Sequence, residues 1–420
     1  MLRERDLCFG PRVICPFLRP FFLDERQAAA ARRVGEAVAR LGERVAASVD
    51  VPEVLDVLAV TDAERALAAL DAGPGPASTA SRLDAFVLDD HLVCAEYNAE
   101  SPAGLGYAER LGEVFQELDV TARFREAFDV SPPRLMRPML ETLLETYREW
   151  GGTASPPVVA IVDFRGVPTW AEFEMLQAAF TEAGVPTLVC DPRELEFDGR
   201  TLTAQGRRID LVYRRVLVGD VREHPDECRA LVDACAARAV CMANAFRCKL
   251  PHKKSFFALL TDERFARLFD PADLEAVAGA VPWTRLLREG MTTLDGGAID
   301  LVPYVRANRE RLVIKPNDEY GGSGVLLGWE ADERAWDERI RIALGGDEGA
   351  WVVQARIGVR REPFPLFGPD GTRMQEMLVD CAPYLFRGRL TGFLTRLSAS
   401  GLANVTSGGG QVPAFVVRAK

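Results

Sequence analysis

Two carboxylates, a carboxamide and a guanidinium fall close together in the pattern Arg82-x-Asp84 followed by Glu96-x-Asn98. If residues 82–98 form a hairpin turning at Asp89-Asp90-His91, a three-residue loop pairs Leu88 with Leu92. Counting back then sets Asp84 opposite Glu96 and Arg82 opposite Asn98. Side chains alternate with period two along a strand, so all four project from one face. Like charges directly opposed destabilise a sheet. A Mg2+ ion between them removes that penalty, since it takes carboxylate and amide oxygens beside phosphate oxygens. Arg82 can hold one carboxylate or touch a phosphate. The plainer reading is a hairpin whose polar face meets water.

A second set lies far along the chain. Leu312-Val313-Ile314-Lys315-Pro316 reads as a buried strand, with Lys315 kept extended by the proline after it. An ammonium ending such a strand needs an anion, and a nucleotide phosphate is a natural one. Residues 317–324 follow, and their Gly321, Gly322, Ser323 and Gly324 let backbone N–H groups approach phosphates. The pattern is not a Walker A loop, which leads into a helix; it reads as a hairpin flap or as an ordinary glycine-rich turn. Lys254, in His252-Lys253-Lys254-Ser255, is a second phosphate-directed lysine. Its alternative is a basic first turn of a helix, mildly unfavourable against the dipole. Gln354 lies in an apolar strand that either runs past an adenine or belongs to the core. Arg396 interrupts the apolar run 390–398. A buried guanidinium is costly without anionic company. It either stabilises charge on a transferring phosphoryl group or pairs with a carboxylate such as Asp380 or Glu376.

The elements that must position these groups follow from patterning. A chain of 420 residues suits two or three packed subdomains. Its formal charge of −11, with no block of basic residues, argues against nucleic acid as a partner. No apolar run approaches bilayer length, and the N-terminal apolar pieces are broken by Pro11, Arg12, Pro16, Arg19 and Pro20, unlike a secretory leader. Nine cysteines without a CxxC pair read as reduced thiols, which implies a cytoplasmic protein. Three histidines without metal-ligand spacing leave little material for a histidine metal site or a Ser-His-Asp triad.

Asp24 with Gln27 and Thr61 with Glu64 form capping boxes that start helices. Further helices are predicted over 105–118 and 135–149. Residues 158–163, a helix over 170–183 and residues 187–191 form a βαβ-like unit, joined by a strand over 209–218 that carries Arg214 and Arg215. Beyond 240 the pattern predicts helices over 253–268 and 331–345, with strands over 311–316, 324–329, 350–355, 374–381 and 390–398. Residues 404–410 read as a loop.

Taken in order, these motifs resemble glutathionylspermidine synthase and its circularly permuted ATP-grasp relatives. Arg82-x-Asp84 with Glu96-Tyr97-Asn98-Ala99 is similar to the family's magnesium signature. Lys254-Ser255-Phe256 and Val313-Ile314-Lys315-Pro316 look like its two ATP lysines, and the run from Gly388 to Ser398 like its C-terminal arginine strand. Asp210-x-Val212-Tyr213-Arg214-Arg215 resembles the pre-ATP-grasp domain of the group. The carboxylates precede the lysines, as in the permuted members. Glu100 replaces the family's aspartate and no amidase domain is present, which points away from glutathione and spermidine as substrates.

The resemblance implies an α/β protein with a permuted ATP-grasp core. Residues 1–80 form an N-terminal helical segment and 81–150 the metal-binding part of the core. Residues 151–238 form a Rossmann-like pre-ATP-grasp domain, and 239–420 the lysine and glycine-loop subdomain with the C-terminal strands. The implied activity is ATP- and Mg2+-dependent ligation of a small-molecule or peptide carboxylate to an amine through an acylphosphate. Asp84, Glu96 and Asn98 hold the metal. Lys254, Lys315, Gln354 and residues 321–324 bind ATP, and Arg82 and Arg396 stabilise developing charge. A phosphotransferase and an inactive ATP-binding regulatory protein are the alternatives.

Overall fold

Four sheets carry the architecture in the computed structural model. It describes all residues except 1, 6, 10, 11, 71, 72, 89, 90, 320, 347, 348, 369, 370 and 402–408. The hairpin tip Asp89-Asp90 and most of the loop read over 404–410 therefore lie outside the described residues.

The largest sheet is antiparallel, in the order Gly410–Val412, Arg389–Ser398, Gly371–Phe386, Ala80–Leu88, His91–Asn98. Arg361–Gly368 pairs with the first half of Gly371–Phe386. This sheet joins the early acidic strands to the late arginine strand, which no local pattern announces. The helix Glu25–Ala46 lies across it, started by the Asp24–Gln27 capping box. Its apolar stripe Val34, Val38, Leu41 and Val45 is buried in the same core as Leu83, Tyr97 and Leu385. Each such side chain contributes about 1.5–3 kcal/mol on burial. Gly42 lets the helix approach closely, since a Cβ there would sit 2.9 Å from the Tyr97 ring.

A second sheet is fully parallel, in the order Cys241–Ala243, Leu211–Arg214, Val159–Val162, Thr187–Cys190. Its central strands are buried throughout, as strands covered on both faces must be. The helices Met136–Trp150 and Trp170–Glu182 pack on one face, in a cluster that also takes Tyr384 and Leu394 from the large sheet.

The third sheet is antiparallel, in the order Thr284–Leu286, Trp351–Ala355, Leu312–Pro316, Leu326–Leu327. Leu312, Ile314, Trp351 and Val353 point to one side, where Trp336 and Ile340 of the helix Glu333–Gly345 cover them. Period two therefore sends Lys315 and Gln354 to the other side.

Three expectations need correction. The segment 1–80 is not purely helical: its strand Phe21–Leu23 pairs in parallel with Ala414–Ala419, beside Phe128–Ser131. The helix expected over 253–268 is broken into Phe256–Leu260 and a 3-10 turn, Glu263–Leu268. The break falls where Asp262 caps the second piece by accepting from the Arg264 N–H. The strand expected over 324–329 shortens to Leu326–Leu327. Among the described residues, no helix is long and apolar enough to cross a membrane.

Candidate functional site

The acidic hairpin is formed by Ala80–Leu88 and His91–Asn98, with Asp84 opposite Glu96 and Arg82 opposite Asn98. The pairing behind that expectation differs. Leu88 faces His91 rather than Leu92, so two residues, not three, connect the strands. That alone would slip the register and send the carboxylates to opposite faces. A bulge between Asp84 and Ala85 restores it, because Ala85 faces Cys94 and Ala95 is the extra residue. The bulge also frees the Ala95 carbonyl, which accepts from Lys315 Nζ at 3.3 Å.

Asp84 is buried and held by two arginines. Arg82 donates to it through Nε at 2.7 Å and Nη2 at 3.2 Å, and Arg396 through Nη2 at 2.6 Å. Arg396 also donates through Nε to Asp380 at 2.5 Å, its partner across the strands Gly371–Phe386 and Arg389–Ser398. The ion-pair reading of Arg396 holds for Asp380, and the same guanidinium also pairs with Asp84 of the acidic hairpin. Burial disfavours the Asp84 carboxylate, but Arg396 and Arg82 outweigh it and hold the group well below the usual range. Burial pushes Asp380 up to about 6, Arg396 opposing and the Asp84 charge adding to the rise.

The lysines converge on the same hairpin. Lys254 Nζ lies 3.3 Å from the Glu96 carboxylate and donates to the Glu319 carbonyl. Lys315 Nζ donates to Gln354 Oε1 at 2.7 Å, while Gln354 Nε2 donates to Thr284 Oγ1 at 3.0 Å. The Gln354 amide is therefore committed to orienting Lys315. Burial lowers the Lys315 pKa to about 8, with Glu96 only partly compensating. Glu96 is lowered by Lys254 against the opposing effect of burial.

Gly321, Gly322 and Gly324 all adopt positive φ, the left-handed region that glycine enters without strain. The base of this loop is stitched to the Lys254 segment. Asn317 accepts from the Ser255 N–H at 2.8 Å and from the Lys254 N–H, through its own carbonyl, at 2.9 Å. Asp318 pairs with Lys249 at 2.6 Å and Lys253 at 3.2 Å. Lys249 continues to the buried Glu100 at 3.4 Å, which binds Arg214 at 3.1 Å. Sequence reasoning passed over Asn317, Asp318, Lys249 and Lys253. The dense Lys249-to-Lys254 run was the available signal, but spacing alone does not say which lysine faces which carboxylate.

Among the described residues, no group of three or more His, Cys, Asp and Glu is gathered for a metal. A Mg2+ site asks for less, since this ion keeps several waters and uses one or two carboxylates with phosphate oxygens. Asp84 and Glu96 provide those carboxylates. A carboxylate offers roughly four lone-pair positions, of which the arginines take three on Asp84. Asn98 adds a carboxamide oxygen of the kind the ion takes, while its nitrogen, buried without a partner, is a donor that calls for an acceptor oxygen rather than a cation. The donor set fits the ion.

No family model matches this chain. It is 25% identical over 349 residues to a Frankia alni protein named "Putative glutamate--cysteine ligase 2-3". A Frankia casuarinae protein named "Putative glutamate--cysteine ligase 2-2" is 23% identical over 350 residues. Both alignments take in 79% of this chain and 37% of the relative, so the chain spans little more than a third of the length of these curated relatives. In fold it resembles the apo form of a glutathione synthetase-like effector from Globodera pallida. The TM-score is 0.59 over 95% of this chain and 90% of that one, at 12% identity.

Proposed function

We propose that this chain is an ATP- and Mg2+-dependent carboxylate–amine ligase built as a circularly permuted ATP-grasp. The observation that carries the reading is the meeting of Lys254 and Lys315 with the hairpin of Asp84, Glu96 and Asn98. The two sets are remote in sequence, and a cationic pair facing an acidic, metal-suited pair is what a Mg-triphosphate requires. The parallel sheet is the pre-ATP-grasp unit, and the carboxylate strands precede the lysine strands in the chain. The names of the Frankia relatives favour amino acids as substrates over glutathione and spermidine.

In the reaction, a carboxylate oxygen attacks the γ-phosphorus of ATP, and the bond to the β-phosphate oxygen breaks to give an acylphosphate and ADP. The amine then attacks the acyl carbon, phosphate leaves with the C–O electron pair, and the nitrogen loses a proton to give the amide. Lys254 and Lys315 hold the phosphates. Arg82 and Arg396 meet the charge that builds on the transferring group. The loop of Gly321, Gly322, Ser323 and Gly324 covers the phosphates and excludes water, which would otherwise hydrolyse the acylphosphate. Asp84, Glu96 and Asn98 would hold Mg2+, which would supply Lewis acidity to the phosphates.

The test is incubation of the full chain with Mg-ATP and paired amino acids, beginning with glutamate and cysteine. ADP release and a product one water lighter than the two substrates together are expected. Hydroxylamine in place of the amine should trap a hydroxamate. A product heavier by a phosphoryl group supports the phosphotransferase instead. ATP binding without ADP release, across all pairs, supports the regulatory binder.

A further inference from the structure

Arg215 is a nearly buried guanidinium with no anion against it. It is 5% exposed and, among the described residues, forms no ion pair. Its Nη1 donates to the Pro102 carbonyl at 2.7 Å and to the Tyr213 hydroxyl at 3.0 Å. Its Nε is buried without any partner. The Phe173 and Tyr213 rings flank it, with centroids 5.2 and 5.4 Å from its central carbon. The nearby Glu172 acts on it only through space, since its oxygens accept from the Gly104 and Gly106 N–H groups at 2.8–2.9 Å and form no ion pair with the guanidinium among the described residues. The preceding residue makes the contrast. Arg214 is fully buried, but Glu100 and the carbonyls of Val216 and Asn244 satisfy it. Glu172 and Asp163 favour the Arg215 charge only through space, and its buried Nε lacks an acceptor, so Arg215 has a place for an anion from outside the chain.

Asp163 stands beside it in a complementary condition. It is 7% exposed, accepts from the Phe164 N–H at 2.8 Å, and has no cation in contact among the described residues. Burial pushes its pKa up to about 6, with Arg215 opposing through space. The sheet register explains the juxtaposition. Val162 pairs with Arg214, and the Arg215 N–H donates to the Val162 carbonyl at 2.9 Å. Asp163 and Arg215 therefore leave adjacent parallel strands side by side at their carboxyl ends. Tyr213, whose ring flanks Arg215, packs in one cluster with Tyr384 and Leu394 of the large sheet. Open parallel sheets bind their ligands beyond this edge.

The pair is close to the reaction centre. Arg215 binds the carbonyl of Pro102, and Arg82 binds that of Ala103 at 2.7 Å. One peptide unit and two hydrogen bonds separate the guanidinium groups, a span on the order of 10 Å.

We propose that Arg215 and Asp163 recognise a free α-amino acid, Arg215 taking the α-carboxylate and Asp163 the α-ammonium. A lone anion would meet the repulsion of Asp163, and a lone cation that of Arg215; a zwitterion satisfies both. The site would present one substrate of the ligase to the phosphate centre, and only this place in the reaction rests on the ligase reading.

The test measures binding of the standard L-amino acids to the full chain by calorimetry, with a non-hydrolysable Mg-ATP analogue present. For the tightest binder, the α-amide and the N-acetyl derivative should each bind roughly tenfold or more weakly to the wild type. Arg215→Gln should no longer distinguish the acid from its α-amide. Asp163→Asn should no longer distinguish the free amine from its N-acetyl form. Nucleotide affinity within about twofold of wild type reports that each variant is folded. The proposal is overturned if no standard amino acid binds the wild type, if the derivatives bind as well as the parent, or if both variants keep their discrimination. Where a variant does not fold, the wild-type derivative series decides alone. If amino-acid binding shows this discrimination but no acid–amine pair yields ADP, the ligase reading fails and the site stands.

Discussion

Binding of Mg-ATP should take up protons at mildly alkaline pH, and Lys315 should be their destination. In the unliganded fold burial lowers this lysine from 10.5 to about 8. That shift corresponds to roughly 3 kcal/mol borne by the fold when the ammonium is charged. The sign follows from proton counts. The unfolded chain binds more protons between the two values, so the unliganded protein gains stability as pH rises from about 8 towards 10.5. A phosphate beside the ammonium acts in the opposite direction and returns the pKa upward. The protonated fraction of the free site falls from about 0.9 at pH 7 to about 0.1 at pH 9, so Mg-ATP affinity should fall about tenfold over that interval. At pH 8 binding should take up about half a proton. Calorimetry at pH 8 in two buffers of different ionisation enthalpy measures the uptake directly. Lys315→Met should abolish both the uptake and the pH dependence. An affinity that stays flat from about pH 7 to 9, or uptake that persists in Lys315→Met, refutes the argument.

Three further outcomes are expected. Asp84→Asn removes the anion shared by Arg82 and Arg396; stability should drop by about 3 kcal/mol in denaturant titration, and ADP release by about a hundredfold or more. The Asp84 contribution is complete above its unfolded value of 3.8 and is lost as pH falls below it. Gly324→Ala forces a side chain onto φ +70 and sets Cβ 2.6 Å from Pro316 Cγ. Steady-state kinetics should show a KM for ATP raised severalfold, with stability lowered by about 1 kcal/mol or more. Asn244→Ala should cost about 3 kcal/mol in the same titration. Its amide nitrogen lies 2.7–2.9 Å from the carbonyls of Ala80, Ala99 and Glu100, and its oxygen accepts from the Ala80 N–H at 3.0 Å.

The sequence made the local parts legible. The capping boxes at Asp24 and Thr61 start the helices Glu25–Ala46 and Asp62–Ala68, because capping depends on residues three apart. The hairpin register of Asp84 with Glu96 was readable for a similar reason, yet it was reached through a turn one residue too long and without the bulge at Ala95. Period-two alternation fixes which residues share a face. It says nothing of where an extra residue is absorbed.

Chemical type and order were therefore written in the chain: acidic oxygens early, lysines late, glycines after Lys315. What only the tertiary structure decided is which groups touch. Arg396 bridges Asp84 and Asp380, Gln354 orients Lys315 instead of standing free, and Asp318 belongs to Lys249 and Lys253. Arg214 and Arg215 are the same residue side by side, and only packing makes one satisfied and the other open. Contacts between residues hundreds of positions apart depend on how sheets stack and which strand lies next to which. Those are properties of the whole chain's packing, and no window of sequence contains them.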